Sequence, residues 1–265
     1  MTGRRGVVLA DVLIAMVVLG LAGTLCARSV LWYARILRGA QARAGLESAF
    51  AVAGGYLTAE VGALAPGDLL YAAPDSLGYR AIWGSALACR VAGGEVLVLA
   101  GSWSGDRLPQ AGRDSLLVFS GRSPAGAWVP GPVTGVGRSA CDGRAALRLT
   151  TQLDTTRLAP APRPAQLPVL LSEHRQLRFY SSLGDWWLGA RSVSSSEGIQ
   201  PLAGPFAGPR PPFSYRDSTG APAPDPARVR QIVMSLAGEA AAWSSPGARF
   251  RDSLTFIVTP ANLSP

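Results

Sequence analysis

The first 27 residues, MTGRRGVVLADVLIAMVVLGLAGTLCA (Met1–Ala27), decide how the rest of the chain has to be arranged. From Val7 to Ala27 the run is apolar or small except for one charge, Asp11. As a helix at about 1.5 Å per residue it spans about 30 Å, the thickness of a bilayer core. A carboxylate at that depth costs about 2.5 to 3.5 kcal/mol. Nothing later in the sequence repeats such a run, so one anchor at the N-terminus carries a large part that stands in water.

The remainder is ordinary enough to fold. The chain has 265 residues, 48% hydrophobic and 16% charged, which is room for a sizeable core. The formal charge is +8, and its positive side is carried by arginine alone, with no lysine. These arginines run from Arg28 to Arg251 without a block, a pattern of solvated surface that leaves nucleic-acid binding possible but unsupported.

Ordinary readings of the N-terminus each leave something over. A secretory signal has an apolar stretch of about 7 to 15 residues and no acid in it. A lipoprotein signal needs small residues before its cysteine, where Cys26 follows Leu25. A plain signal anchor has no use for Asp11 or for the glycine at the head of the run. Arg28, Arg35, Arg38 and Arg43 after the run outnumber Arg4 and Arg5 before it, which by charge count favours the opposite orientation to a periplasmic head.

A basic leader ending in Gly6, an apolar helix directly after it and an acid at its fifth position resemble the prepilin N-terminus of type IV pilins and type II secretion pseudopilins. The resemblance implies cleavage after Gly6 by the prepilin peptidase and N-methylation of Val7. It departs at two places, since the family usually has phenylalanine where Val7 stands and glutamate where Asp11 stands. It also gives Asp11 a purpose: the acid would neutralise the N-terminal ammonium of a neighbouring subunit, and a buried charge is tolerable mainly when paired.

Beyond the anchor the helical pattern continues. Val30, Tyr33, Leu37, Ala40 and Ala44, followed by Leu46, Phe50, Ala53, Leu57 and Val61, recur at spacings of three and four and predict a stripe that packs on a following sheet. Gly54 and Gly55 are expected to loosen the helix, and "APG" at Ala65–Gly67 to end it.

After Asp68 the pattern turns to strands. Glu95–Ala100, Asp114–Ser120, Ala146–Thr150, Leu177–Ser181, Asp185–Arg191, Val229–Leu236 and Ser253–Thr259 are rich in β-branched and aromatic residues. Leu158–Pro168 reads as a stiff extended linker, and Asp217–Gly220 as a hairpin turn. The succession LRFYSSLGDWWLGAR, PFSYRDSTG and ARVRQIVMSL resembles the C-terminal half of the larger minor pilins of the PilW kind and of J-type pseudopilins.

Catalytic signatures are missing. His174, between Glu173 and Arg175, reads as a strand-edge surface residue. GVGRSA (Gly135–Ala140) matches a dinucleotide fingerprint by letters but reads as a turn, and GSWSG (Gly101–Gly105) has tryptophan where a nucleophile elbow needs serine. The expectation is no enzyme, no cofactor and no metal. Cys89 and Cys141 lie in the β region, where an oxidising compartment would let them form a disulfide.

The sequence therefore predicts an α+β, pilin-like fold: leader 1–6, transmembrane helix 7–27, amphipathic continuation 28–64 and a β-rich exported head 65–265, divisible at 158–168. The implied function is that of a minor subunit in assembly, initiation or capping of a type IV pilus. The alternatives are a minor pseudopilin of a type II secretion system and a single-pass periplasmic binding domain. Expected partners are the prepilin peptidase, other pilin or pseudopilin subunits and the inner membrane.

Overall fold

The computed structural model describes residues 4–65, 67–120, 127–158, 167–208, 212–241 and 249–260. Helix α1 (Arg4–Tyr56) runs 53 residues without a break and ends in a single π-helical turn, Leu57–Val61. The last three residues assigned to a leader, Arg4 to Gly6, already belong to this helix. Gly54 does not loosen it: a Cβ there would meet the ring of Phe256, so glycine lets the helix and the strand beneath it come close.

The head is built from strands β1 (Leu69–Ala73), β2 (Ser76–Ala92), β3 (Glu95–Leu99), β4 (Ser104–Gly105), β5 (Asp114–Ser120), β6 (Ala127–Cys141) and β7 (Arg144–Thr151). Then follow β8 (Leu167–Ser182), β9 (Asp185–Ser192), β10 (Gln200–Phe206), β11 (Phe213–Arg216), β12 (Gln231–Ala241) and β13 (Arg249–Val258). Ten of these form one sheet, in the order β1-β2-β3-β7-β6-β5-β8-β9-β10 with β4 added to β2, and β11-β12-β13 form a second of three.

One extra pairing determines the architecture. The long strands β2 and β8 lie antiparallel from Ser76↔Arg178 to Ala88↔Leu167. Hence β2-β3-β7-β6-β5-β8 closes on itself as a barrel. Ala86, Ala88, Val96, Val98, Leu116, Val118, Val129, Val133, Leu149, Val169 and Leu171 fill it, short side chains suited to a narrow barrel. The other halves of β2 and β8 continue out of it and join β1, β9 and β10 in an open sheet.

That open sheet, the second sheet and the C-terminal half of α1 enclose the other core. Leu46, Ala49, Phe50, Ala53, Leu57 and Val61 pack against Phe206, Ile232, Met234, Leu236 and Val258. Phe50 stacks on Phe206 with ring centroids 5.8 Å apart.

This overturns the α+β, pilin-like expectation. The chain is mostly β with one N-terminal helix, and its ten-stranded sheet with a closed barrel exceeds a helix resting on a small sheet. Each of the seven predicted segments overlaps a strand, with Ala100, Val229, Arg230 and Thr259 outside it, but β1, β2, β4, β6, β10 and β11, and residues 167–176 of β8, have no counterpart among them. GVGRSA lies inside β6 rather than in a turn. His174 is on a central strand, half-buried, and not at an edge. Most of the 158–168 linker lies outside the described residues. Asp217–Gly220 is the expected turn, closed by hydrogen bonds from Gly220 N to Asp217 O and from Asp217 N to Ala221 O.

Candidate functional site

The predicted processing and assembly residues all lie on the free half of α1. Gly6 and Val7 fall in its first turns and Asp11 is exposed on it. The most apolar 18-residue window of this helix has a mean hydropathy of 2.2 and none of it is buried, so the helix is long and apolar enough to cross a membrane. Val12, Leu13, Ile14, Met16, Val17, Val18, Leu19 and Leu21 are all exposed. A contiguous apolar surface of this kind marks contact with lipid or with other protein.

The predicted stripe separates into two. Leu46, Phe50, Ala53, Leu57 and Val61 are buried, between 0 and 6% exposed, whereas Val30, Tyr33 and Leu37 are 67, 60 and 42% exposed. At about 3.6 residues per turn the two sets stand on opposite faces of the helix. The far face continues past Leu37 through Ala44, Ser48, Ala51 and Gly55, all exposed. The head thus covers one side of α1 and leaves the other apolar to small throughout.

A second site, which the sequence reading missed, joins the two cores. Glu173 on β8, with its side chain 2% exposed, accepts from Arg107 Nη2 at 3.1 Å and Arg113 Nε at 2.9 Å, and also from Arg175. Arg107 also grips the fully buried Asp114 with two hydrogen bonds of 2.6 and 2.7 Å, and its guanidinium lies 3.9 Å over the Trp83 ring. Arg175 reaches Glu60 in the π-helical turn at 3.0 Å. There Tyr79, in contact with Tyr56, donates to Glu60.

Burial alone would raise the Glu173 carboxyl, but hydrogen bonds from Arg175 and Arg113 hold it below the usual carboxylate range. Burial also pushes the Tyr79 phenol well up, helped by Tyr56 and Glu60. Every carboxylate oxygen of Glu173 and Asp114 is occupied by a donor. The network clamps the helix end to the barrel mouth and holds no free base. Its signal in the sequence was SEHR inside a strand pattern, acid and base where apolar alternation was due.

His174 faces the other side of β8, near Arg80, Arg191 and Tyr71. Burial, with the arginines, lowers its pKa. Among the described residues no group of three or more His, Cys, Asp or Glu is placed to hold a metal ion.

Cys89 and Cys141 are joined by a disulfide, with Cα atoms 6.6 Å apart. It ties a bulge in β2 to the tip of the β6–β7 hairpin, beside Leu99 and Ala146. It lies in the barrel, apart from Asp11. Cys26, at the end of the apolar run, is free and exposed.

No protein-family model, no curated protein and no solved structure matches this chain.

Proposed function

We propose that this chain is a non-enzymatic minor subunit of a prepilin-class filament, of a type IV pilus in the first place, anchored in the inner membrane and drawn into the filament through α1. The carrying observation is the uncovered face of α1: a membrane-length helix with an acid near its start, whose head packs on one side only. A helix destined for a bundle needs one face for its own head and one for its neighbours, and this one has both.

The leader motif supports cleavage after Gly6 and methylation of Val7. Asp11 would meet the amine of an adjacent subunit in the low-dielectric bundle. The size of the head suits a subunit present in few copies. A minor pseudopilin of a secretion system uses the same chemistry and is the second reading, favoured by the same residues.

The test uses Asp11→Ala and Asp11→Glu. Removing the charge makes membrane insertion easier by a few kcal/mol, while leaving a partner ammonium unpaired costs about 3 to 5 kcal/mol in a buried bundle. The expected outcome is normal membrane levels for all forms, loss of Asp11→Ala from sheared filaments and retention of Asp11→Glu. Equal incorporation of the three, or a mature protein that keeps Met1 when the peptidase is present, overturns the reading.

A further inference from the structure

The last strand, β13, has only one paired edge. All ten of its residues pair in unbroken register with β12, from Ile232↔Val258 to Ala241↔Arg249, and among the described residues no strand lies on its other side. Free edges are normally blunted by proline, bulges or inward charges. Here the membrane-distal part, Ser253–Val258 (SLTFIV), has none of these, and it exposes Leu254 at 43% and Ile257 at 58%. Both of those side chains are apolar, and beyond Ser253, whose N–H is held by Asp252 Oδ1 at 2.8 Å, the strand can still donate and accept.

The direction of β13 restricts what can pair with it. The Arg43 guanidinium lies over Phe250, Gly54 meets Phe256, and Gly62 faces Val258, so β13 runs alongside α1 in the same direction, away from the membrane. A second copy added antiparallel would point its α1 the opposite way, and the two anchors could not share one membrane. A second copy added parallel about a two-fold axis would set each residue level with its own copy but on the opposite face, a pleat offset at which the parallel ladder does not form. Arg249 and Arg251, exposed at 71 and 79%, share the single carboxylate of Glu239, which leaves positive charge on their face of the strand at its membrane-proximal end, while Asp252 stands on the other face.

We infer that the free edge of β13 is a docking edge for an extended head segment of a different subunit anchored in the same membrane. The segment adds antiparallel to β13, with apolar or β-branched residues beside Ser253–Val258 and acidic residues beside Arg249 and Arg251. Strand addition of this kind takes affinity from main-chain hydrogen bonds and specificity from alternate side chains. The inference rests on the filament-subunit reading, because the neighbour that covers the far face of α1 is the one whose head lies within reach of this edge.

The experiment places the photo-cross-linking residue p-benzoylphenylalanine at Ile257, and separately at Ala51 on the uncovered helix face, in the full chain expressed in its own host. Adducts are digested and sequenced. The expected result is an adduct from both positions to another anchored subunit, with the Ile257 adduct mapping to a non-helical head segment that contains an acidic residue. Leu254→Lys on the same edge should lower the Ile257 adduct at least tenfold and leave the Ala51 adduct unchanged. An Ala51 adduct without an Ile257 adduct overturns the docking edge alone. An Ile257 adduct to β13 of a second copy, or to a protein without such an anchor, overturns the choice of partner. Failure at both positions overturns the docking edge and the filament reading together.

Discussion

Leu37 and Leu46 stand on opposite faces of one uninterrupted helix, nine residues and about two and a half turns apart, with Leu37 42% exposed and Leu46 only 6%. One sequence pattern thus serves two surfaces: Leu46 fills the space that Gly238 leaves on β12, and Leu37 faces away from the head. Leu46→Ala should destabilise the head by about 2 to 5 kcal/mol, the range for a buried leucine. Leu37→Ala should stay within about 0.5 kcal/mol, as surface changes do. Denaturant unfolding of the full chain in detergent separates them, and equal losses would contradict the two-face arrangement.

Adjacent glycines on α1 should respond with opposite signs. Gly54→Ala drives a methyl group into the Phe256 ring and should cost about 1 to 3 kcal/mol by overpacking. Phe256→Leu in the same chain should relieve part of it. Gly55 has open space around it, so Gly55→Ala should stabilise by about 0.4 to 1 kcal/mol through helix propensity. Thermal midpoints of the three variants check this.

Glu173 holds three arginines from a buried position, so Glu173→Gln should cost about 3 to 5 kcal/mol by removing their counter-charge and setting an amide NH2 against one of the donors. The pH dependence follows from the depressed carboxyl. Its contribution is complete above the unfolded value of about 4.3 and is lost as pH falls through the lower folded value. Melting curves between pH 6 and pH 2 should show that loss in the wild type and a shallower slope in Glu173→Gln. A parallel slope in both would remove Glu173 from the acid transition.

The Cys89–Cys141 bridge closes a separation of 52 residues, which by chain entropy amounts to about 4 kcal/mol. In the folded, unreduced protein only Cys26 should react with an alkylating reagent. In Cys89→Ser, amide exchange should quicken first in β6 and β7, while the α1 contact with β12 keeps its protection. Labelling of all three cysteines without reductant would show that the bridge does not form.

The long apolar helix, part of the strands and the turn at Asp217 were legible because each is a local matter. A membrane-length apolar run, β-branched alternation and an Asx-type turn are determined by neighbours in the chain. Tertiary structure decided the rest. Nothing in β2 or β8 announces that they pair with each other across Ser76–Ala88 and Leu167–Arg178, since pairing is a property of two distant segments. That single pairing turns an open sheet into a closed barrel. Which apolar face of α1 the head would take was equally undetermined, because both stripes have helical spacing and only complementarity selects one, Gly54 admitting Phe256 and Gly238 admitting Leu46. The charges at Glu173, Arg107, Arg113 and Arg175 looked like solvated surface for the same reason. A buried ion network is recognised by where its partners meet, and Arg107 and Arg113 stand 66 and 60 residues from Glu173.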